Sequence, residues 1–165
     1  LPNLRTVGVM LGGDSRSLVP EFERAGRESG IGLVTRMVAP GGLYSALQAL
    51  LPEVDAMLAL PDPEVHNSQT IANILTAAYR RRVPLFGFSP AYVRAGALAA
   101  VYSTPEQVGR RGGELLRQVM SHRSLPPPQW PREFSVGVNR DVARSLDLSV
   151  DAERIAESLR QRERP

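Results

Sequence analysis

The 165-residue sequence contains no cysteine and no lysine. Without cysteine, the chain has no disulfide, no thiolate nucleophile and no Cys-ligated metal. All 20 basic residues are arginine, which excludes a P-loop lysine, a Schiff-base lysine and the lysine of a receiver domain. We also find no acid/base pair, nucleophile elbow or G-x-G-x-x-G motif. The sequence therefore predicts a protein that is not an enzyme and that carries no cofactor or metal.

Charge and hydrophobicity narrow the range of partners. The net charge is only +3, and the arginines are scattered along the chain, so we expect no nucleic-acid partner. No run approaches the ~18 apolar residues of a membrane span, so we expect no membrane insertion. The length suits one domain with a core of ordinary size.

The stretch 55–116 carries the main structural signal. Its three short apolar runs are Ala56–Leu60, Pro84–Phe88 and Ala97–Tyr102, and each stops at a helix-start pattern. Apolar runs that lead into capped helices are typical of buried parallel strands joined by crossover helices. Two earlier strands, 5–11 and 31–39, have helical patterns at 18–29 and 43–53 between and after them. We therefore predict an α/β fold, a flavodoxin-like, three-layer, doubly wound and mainly parallel five-stranded sheet of order 2-1-3-4-5.

A fifth helix is predicted over 105–121. Its apolar stripe is expected to be buried against the sheet, with Gly109 and Gly112 marking a close approach. The stripe comprises Val108, Leu115, Leu116, Val119 and Met120. Beyond this helix, the proline-rich segment Ser124–Pro131 predicts a stiff connector.

The connector divides the predicted organisation into two parts. Residues 1–123 form an α/β solute-binding lobe, and residues 124–165 comprise the connector, a short strand at Phe134–Val138 and C-terminal helices. The second part packs on the lobe or on a second copy. An unpaired strand and an open ligand edge would both be exposed, so we expect a homodimer.

Right-handed crossovers place the helix starts of a parallel sheet along one edge, where free N–H groups and small polar side chains suit a small ligand. The sequence gives eight candidate ligand-binding residues at this edge. They are Ser15, Ser17, Asp62, Asn67, Ser68, Ser89, Tyr92 and Thr104.

Each candidate also has a purely structural interpretation. Asp62 is either a partner for a ligand amine or hydroxyl, or an ordinary carboxylate in a Pro-Asp-Pro turn. Tyr92 borders a ligand or packs on the lobe. Helix capping explains the presence of most of the hydroxyl and amide candidates equally well, because each precedes a predicted helix. These are Ser15 or Ser17, Asn67 or Ser68, Ser89 and Thr104. For Thr104, the Thr-Pro-Glu-Gln sequence predicts a reciprocal capping box with Gln107.

The loop after the first predicted strand and the histidine at position 66 are two further features of the sequence. Asp14, Ser15 and Ser17 could present donors to an anion beside Arg16, although such turns are common. His66 has no metal-ligand spacing around it, and we expect a solvated loop histidine.

Several motifs resemble a known family. The segment Asp55–Asp62, the pair of segments Val83–Gly87 and Gly96–Ala99, and Val138-Asn139 resemble bacterial ABC-transporter substrate-binding proteins of type I periplasmic-binding-protein fold. Gly8–Met10 is similar to the strand that opens the second lobe of that family. The resemblance implies the second lobe, plus C-terminal segment, of a two-lobed exported or periplasmic receptor that closes on its solute. It implies a small polar or amino-acid-like solute and an ABC permease or membrane sensor as partners.

The chain also departs from the family. Thr104-Pro105 stands where an acidic residue and an aromatic are usual, and Pro63 follows Asp62 where asparagine is usual. These departures leave open a different class of function, a degenerate lobe that acts as a protein-interaction or signalling module. An enzyme of flavodoxin-like fold is a weaker alternative, because the Gly12–Ser17 loop is a poor phosphate cradle.

Overall fold

The computed structural model of the chain describes residues 4–122, 124–127, 131 and 133–162. One six-stranded sheet runs through it in the order β2-β1-β3-β4-β5-β6. The strands are β1 Thr6–Leu11, β2 Gly32–Met37, β3 Ala56–Leu58, β4 Leu85–Gly87, β5 Ala99–Tyr102 and β6 Ser135–Val138. The helices are α1 Val19–Ser29, α2 Leu43–Leu50, α3 Ile71–Arg80, α4 Pro90–Ala95, α5 Pro105–His122, α6 Arg140–Ser145 and α7 Ala152–Arg162.

The predicted α/β class and the order of the first five strands are confirmed. The sheet has six strands where five were predicted, because the segment predicted as a strand at 134–138 joins the sheet as β6, antiparallel to β5. Tyr102 pairs with Ser135 and Ala99 with Val138, so β6 returns along the whole of β5. This pairing removes one reason for the expected homodimer, which rested partly on an unpaired strand.

Alternating side chains place the core on both faces of the sheet. Met10 and Met57 face the larger cluster, which includes Leu47 and Leu50 of α2 and Ile74 of α3. On the opposite face of β1, the smaller cluster consists of Val9, Leu11 and Leu60, with α1 packed over it through Val19 and Phe22. The two-residue period of a strand explains why neighbours in β1 belong to different clusters. The result is the predicted three-layer arrangement.

Two helix starts differ from their predictions. α1 follows a short 3-10 turn at Arg16–Leu18 and begins after Leu18, with no side-chain cap from Ser15 or Ser17. α3 begins after Thr70, three residues later than a cap at Asn67 would give. Gly30 does end α1 as expected, because its left-handed φ of 68° suits glycine.

The predicted burial of α5 is wrong. Val108, Leu116 and Met120 are exposed, and none of residues 105–121 is buried. A Cβ on Gly109 or Gly112 would meet nothing within 4 Å, so these glycines do not mark a close approach. The amphipathic pattern correctly indicated a helix with an apolar face, but that face does not lie on the sheet.

In the C-terminal part, α7 packs against β6. The predicted connector falls partly on residues 128–130, which lie outside the described residues. Within the described parts of the chain, no helix combines the length and apolar character needed to cross a bilayer.

Candidate functional site

The carboxyl ends of the parallel strands β1, β3, β4 and β5 lie at one edge of the sheet. We call this edge the rim and define it as residues 12–18, 59–70, 88–90 and 103–105. The predicted site residues fall on it in strand order: Ser15 and Ser17 after β1, Asp62, Asn67 and Ser68 after β3, Ser89 after β4, and Thr104 after β5. Tyr92 follows in the first turn of α4.

Asp62 ties the first two loops of the rim together. Its Oδ2 accepts hydrogen bonds from the backbone N–H groups of Gly12 and Ser15, each at 3.0 Å, and from the Ser15 hydroxyl at 2.6 Å. Its Oδ1 accepts from the backbone N–H of Glu64 at 3.0 Å. Because the carboxylate is fully buried and has four donors, its main role in this structure is to fix the loops after β1 and β3.

The hydrogen bonds also control the charge of Asp62. Burial favours the neutral acid, but the donors on Ser15, Glu64 and Gly12 outweigh it and hold the pKa of Asp62 below its usual value. A Cβ on Gly12 would lie 2.5 Å from Oδ1 of Asp62. Glycine at position 12 therefore allows the carboxylate to approach the backbone of the β1 loop.

The same contacts occupy several backbone donors of the predicted anion site. Besides the Asp62 contacts, the backbone N–H of Gly13 donates to Oε2 of Glu64 at 2.7 Å. Two carboxylates, those of Asp62 and Glu64, thus occupy the backbone N–H groups of Gly12, Gly13 and Ser15. Ser17 and Arg16 remain exposed on the outer side of this loop. The arrangement favours a neutral or cationic polar group at this part of the rim over a free anion.

The loop after β3 is stabilised by Asn67. Its Oδ1 accepts from the backbone N–H groups of Gln69 and Thr70 at 2.9 and 3.2 Å, which caps the single turn that precedes α3. The Thr70 hydroxyl donates to the carbonyl of Val65 at 2.7 Å. Ser68 is exposed and does not cap the helix. Asn67 is therefore a capping residue, as predicted, but it caps the turn that precedes α3 and not α3 itself.

Two helix starts on the rim are capped as predicted. The Ser89 hydroxyl accepts from the backbone N–H of Tyr92 at the start of α4. At the start of α5, the backbone N–H of Thr104 donates to Oε1 of Gln107 at 2.8 Å, and that of Gln107 donates to the Thr104 hydroxyl at 3.2 Å. This is the reciprocal capping box. Ser89 and Thr104 are half-buried, so both also border the open side of the rim.

His66 is the residue that the sequence prediction placed wrongly. The predicted solvated histidine is only 7 % exposed and lies edge-on to Phe88 and Tyr92, at ring-centroid distances of 6.4 and 5.9 Å. The rings of Phe88 and Tyr92 are 4.7 Å apart. No local sequence pattern predicts this cluster, because its three side chains come from two different loops and a helix.

The polar atoms of this aromatic cluster have no protein partner. Both ring nitrogens of His66 and the hydroxyl of Tyr92 are buried without a hydrogen bond. Burial lowers the pKa of His66 to about 4, against the opposing effect of the Asp62 carboxylate. It also raises the pKa of Tyr92 to about 12. Both side chains are therefore neutral near pH 7, and Tyr92 packs beneath the rim.

The rim has the chemistry of a binding surface. Within the described ranges, no group of three or more His, Asp or Glu side chains is placed to hold a metal ion. Hydroxyl, amide and backbone groups of its four loops lie along this edge, and its buried carboxylate is held by structural hydrogen bonds. Such an edge can bind a small polar molecule through hydrogen bonds.

Solved structures share this architecture. A conserved domain protein from Vibrio cholerae is 23 % identical, with a TM-score of 0.71 over 94 % of this chain and 54 % of its own. The substrate-binding protein CD0873 of Clostridium difficile, in its ligand-free open form, is 19 % identical, with a TM-score of 0.73 over 92 % of this chain and 52 % of its own. A Streptococcus pneumoniae ABC domain in complex with L-Trp is 20 % identical, with a TM-score of 0.71 over 94 % and 54 %.

These likenesses show the fold, and the chain spans about half the length of these three structures. No curated protein sequence matches it. The family described as "ABC transporter substrate binding protein", however, matches residues 1–158, which is nearly the whole sequence. The chain therefore belongs to the family of ABC transporter substrate-binding proteins.

Proposed function

We propose that this chain is the non-catalytic solute-binding component of an ABC-type transport system and holds a small polar or amino-acid-like solute at the rim. Family membership supports the transport role. The observation that carries the site is the placement of Ser17, Ser68, Ser89 and Thr104, in four separate loops, along the carboxyl edge of the parallel strands. Such edges are where open α/β sheets bind ligands.

The electrostatics of the rim support the choice of solute. The carboxylates of Asp62 and Glu64 lie in the second loop of the rim and already accept the backbone N–H groups of Gly12, Gly13 and Ser15 in the first loop. A solute that brings its own donors, such as an amine or hydroxyls, fits this surface better than a phosphate does. The pneumococcal neighbour binds L-Trp, and an amino-acid-like solute for this chain is consistent with that.

A solute-binding component of a transport system needs a suitable cellular location and a permease partner. The protein would be exported or periplasmic and would deliver its solute to an ABC permease. Because the relatives are about twice as long, the rim supplies one side of the solute site. Serine and threonine side chains on this side provide polar selectivity, without a nucleophile or general base acting on the solute.

Thermal unfolding tests this proposal. The protein expressed from its complete reading frame is screened against the twenty amino acids, pentoses and hexoses. A solute present at 100 times its dissociation constant should stabilise the protein by about 2.7 kcal/mol, which corresponds to a rise in Tm of roughly 5–10 °C. No rise with any of these solutes would contradict the proposed class of ligand.

Matched tryptophan substitutions locate the site. Ser17→Trp and Ser68→Trp place a large ring on the exposed rim, whereas Ser29→Trp places the same ring at the opposite end of α1. We expect the first two variants to lose the Tm rise and Ser29→Trp to keep it. Equal responses of all three variants would place the solute away from the rim.

A further inference from the structure

The loop after β3 is braced by its own hydrogen bonds. We call residues 63–70 the β3 loop. Nδ2 of Asn67 donates to the carbonyl of Pro63 at 2.9 Å, and the Thr70 hydroxyl donates to the carbonyl of Val65 at 2.7 Å. Because these contacts lie inside the loop, they persist when the loop moves as one piece.

Few hydrogen bonds tie this loop to the rest of the lobe. Among the described residues, one bond joins it to the loop after β1, from the backbone N–H of Gly13 to Oε2 of Glu64 at 2.7 Å. At its start, the backbone N–H groups of Glu64 and His66 donate to Asp62. The side chains of Val65 and His66, 0 % and 7 % exposed, are its buried contacts with the lobe. Displacement of the loop therefore requires that these two side chains leave the interior.

The imidazole of His66 is buried without a hydrogen bond. It lies edge-on to Phe88 and Tyr92, with ring centroids 6.4 and 5.9 Å away, and both of its nitrogens lack a partner. The Tyr92 hydroxyl beside it also lacks one. Buried polar atoms without partners cost free energy, which water restores when they are exposed. The closed loop is therefore stabilised by ring packing and destabilised by three unpaired polar atoms.

A proton on the imidazole would find little compensation in this position. Asp62 is the charged group that favours it, but burial outweighs this attraction and lowers the pKa of His66 to about 4. The Asp62 carboxylate cannot turn towards the ring without breaking the four hydrogen bonds that hold it. Tyr92 is neutral, and α3 carries no titratable side chain in residues 71–78. The other charged side chains on the surrounding loops and on α4 are exposed: Glu64, Asp14, Arg16 and Arg94.

We propose that His66 is a proton-dependent latch of the rim: the neutral imidazole keeps the β3 loop closed, and its protonation releases the loop from Phe88 and Tyr92 while the sheet stays folded. An imidazolium ion needs water around it, and the closed position has no room for that hydration beside the two rings. The carboxylate of Asp62 stays bound to the loop after β1, so the β3 loop opens between this fixed point and α3.

The consequence for the solute rests on the proposed function. Asn67 and Ser68 lie on the β3 loop and leave the rim when the loop opens. A solute that these residues hold would therefore be released in acid.

Thiol labelling of the protein without solute tests the latch. Val65→Cys places a thiol on the buried side of the β3 loop, and Ser68→Cys places one on its exposed side as a matched control. The ratio of their rates with a methanethiosulfonate reagent follows the opening of the loop and cancels the pH dependence of the thiol itself. Val9→Cys, in the smaller hydrophobic cluster, reports unfolding of the whole sheet.

The sequence given has no native cysteine. The variants are made in the protein expressed from its complete reading frame, with any other cysteine changed to serine. The rate ratio of Val65→Cys to Ser68→Cys should rise about twentyfold between pH 7 and pH 5, since the pKa of the imidazole is about 4 in the closed loop and the ordinary 6.5 in the open one. Val9→Cys should react about tenfold or more slowly than Val65→Cys at both pH values, because the loop opens without unfolding of the sheet.

Substitutions of histidine in the Val65→Cys protein identify the proton site. His66→Gln and His66→Leu take up no proton in this range and should remove the rise. His122→Gln, which changes the other histidine of the sequence, should keep it.

A ratio that does not change with pH would overturn the proposal, as would an equal rise in the two His66 variants. Equal rates of Val65→Cys and Val9→Cys would also overturn it, because His66 would then act on the whole fold. Failure of the solute screen would leave these rates unchanged, so the latch and the proposed function are tested separately.

Discussion

The Ser15 hydroxyl donates a 2.6 Å hydrogen bond to the Asp62 carboxylate, although the two residues are 47 positions apart. This bond joins the loops after β1 and β3 at the rim. The two strands are neighbours in the sheet, so the contact closes the space between adjacent loops. The stability of the rim should therefore depend on this carboxylate more than on any exposed acidic residue near it.

Asp62→Ala should destabilise the fold strongly. The substitution removes the acceptor of four donors: the N–H groups of Gly12, Ser15 and Glu64 and the Ser15 hydroxyl. Of these, the Gly12 N–H keeps a second acceptor, the Ser15 hydroxyl oxygen at 3.1 Å. We expect a loss of about 3 kcal/mol in the free energy of unfolding, measured by urea denaturation. Asp14→Ala, an exposed position in the loop after β1, should change it by less than about 0.5 kcal/mol. Equal effects of the two substitutions would contradict the structural role of Asp62.

Gly12→Ala and Gly113→Ala should have opposite effects. A Cβ at position 12 would lie 2.5 Å from the Asp62 carboxylate and force it away from its donors, at a cost of about 1–3 kcal/mol. A Cβ at Gly113, inside α5, meets nothing within 4 Å, and alanine should stabilise that helix by about 0.5–1 kcal/mol. Thermal and urea unfolding of both variants measure this difference. A stabilised Gly12→Ala variant would contradict the close approach of Asp62 to the backbone at position 12.

Stability should fall when the pH is lowered from 7 to 5, because of His66. Its folded-state pKa, about 4, is below the ordinary value of 6.5, so the unfolded chain binds a proton in this range and the folded chain does not. The loss should be about 2 kcal/mol at pH 5. Asp62, whose pKa is lowered, stays ionised over this range and does not contribute. His66→Leu should flatten the profile, and an equally steep profile in that variant would assign the loss to other groups.

Tyr92→Phe should be neutral or stabilise the fold by up to about 1 kcal/mol. The hydroxyl is buried without a partner, so its removal also removes an uncompensated polar group. Tyr92→Ala, in contrast, should cost about 3–5 kcal/mol, because it opens a cavity beside Phe88 and His66. Urea denaturation distinguishes the two variants. A marked loss for Tyr92→Phe would indicate that water or another group satisfies the hydroxyl in solution.

Local signals in the sequence were sufficient to predict most of the fold. Short apolar runs that end in caps predicted the strands, and the order 2-1-3-4-5 was taken as the usual one for a doubly wound fold and is confirmed. The reciprocal cap of Thr104 and Gln107 was predicted from residue types alone. These features depend on neighbours within a few residues. The sequence therefore also placed the candidate residues on one edge, since that placement follows from strand order and helix direction.

The errors concern contacts between distant residues. Ser15 looked like a helix cap, but the acceptor for its hydroxyl is Asp62, in another loop. His66 looked solvated, but it is covered by Phe88 and Tyr92, which follow the next strand. For α5, periodicity predicts an apolar face and says nothing about what lies against it. In each case the missing information was tertiary, and no pattern within ten residues contains it.

The pairing of Tyr102 with Ser135 has a consequence for protein engineering. The chain leaves and re-enters the sheet at facing positions of one antiparallel pair, whose α-carbons are typically about 4.5–5.5 Å apart. A two-residue Asn-Gly turn can bridge such a gap. Residues 103–134 could thus be replaced by a hairpin that joins β5 directly to β6, giving a miniature scaffold that retains the six-stranded sheet and the first three loops of its polar edge.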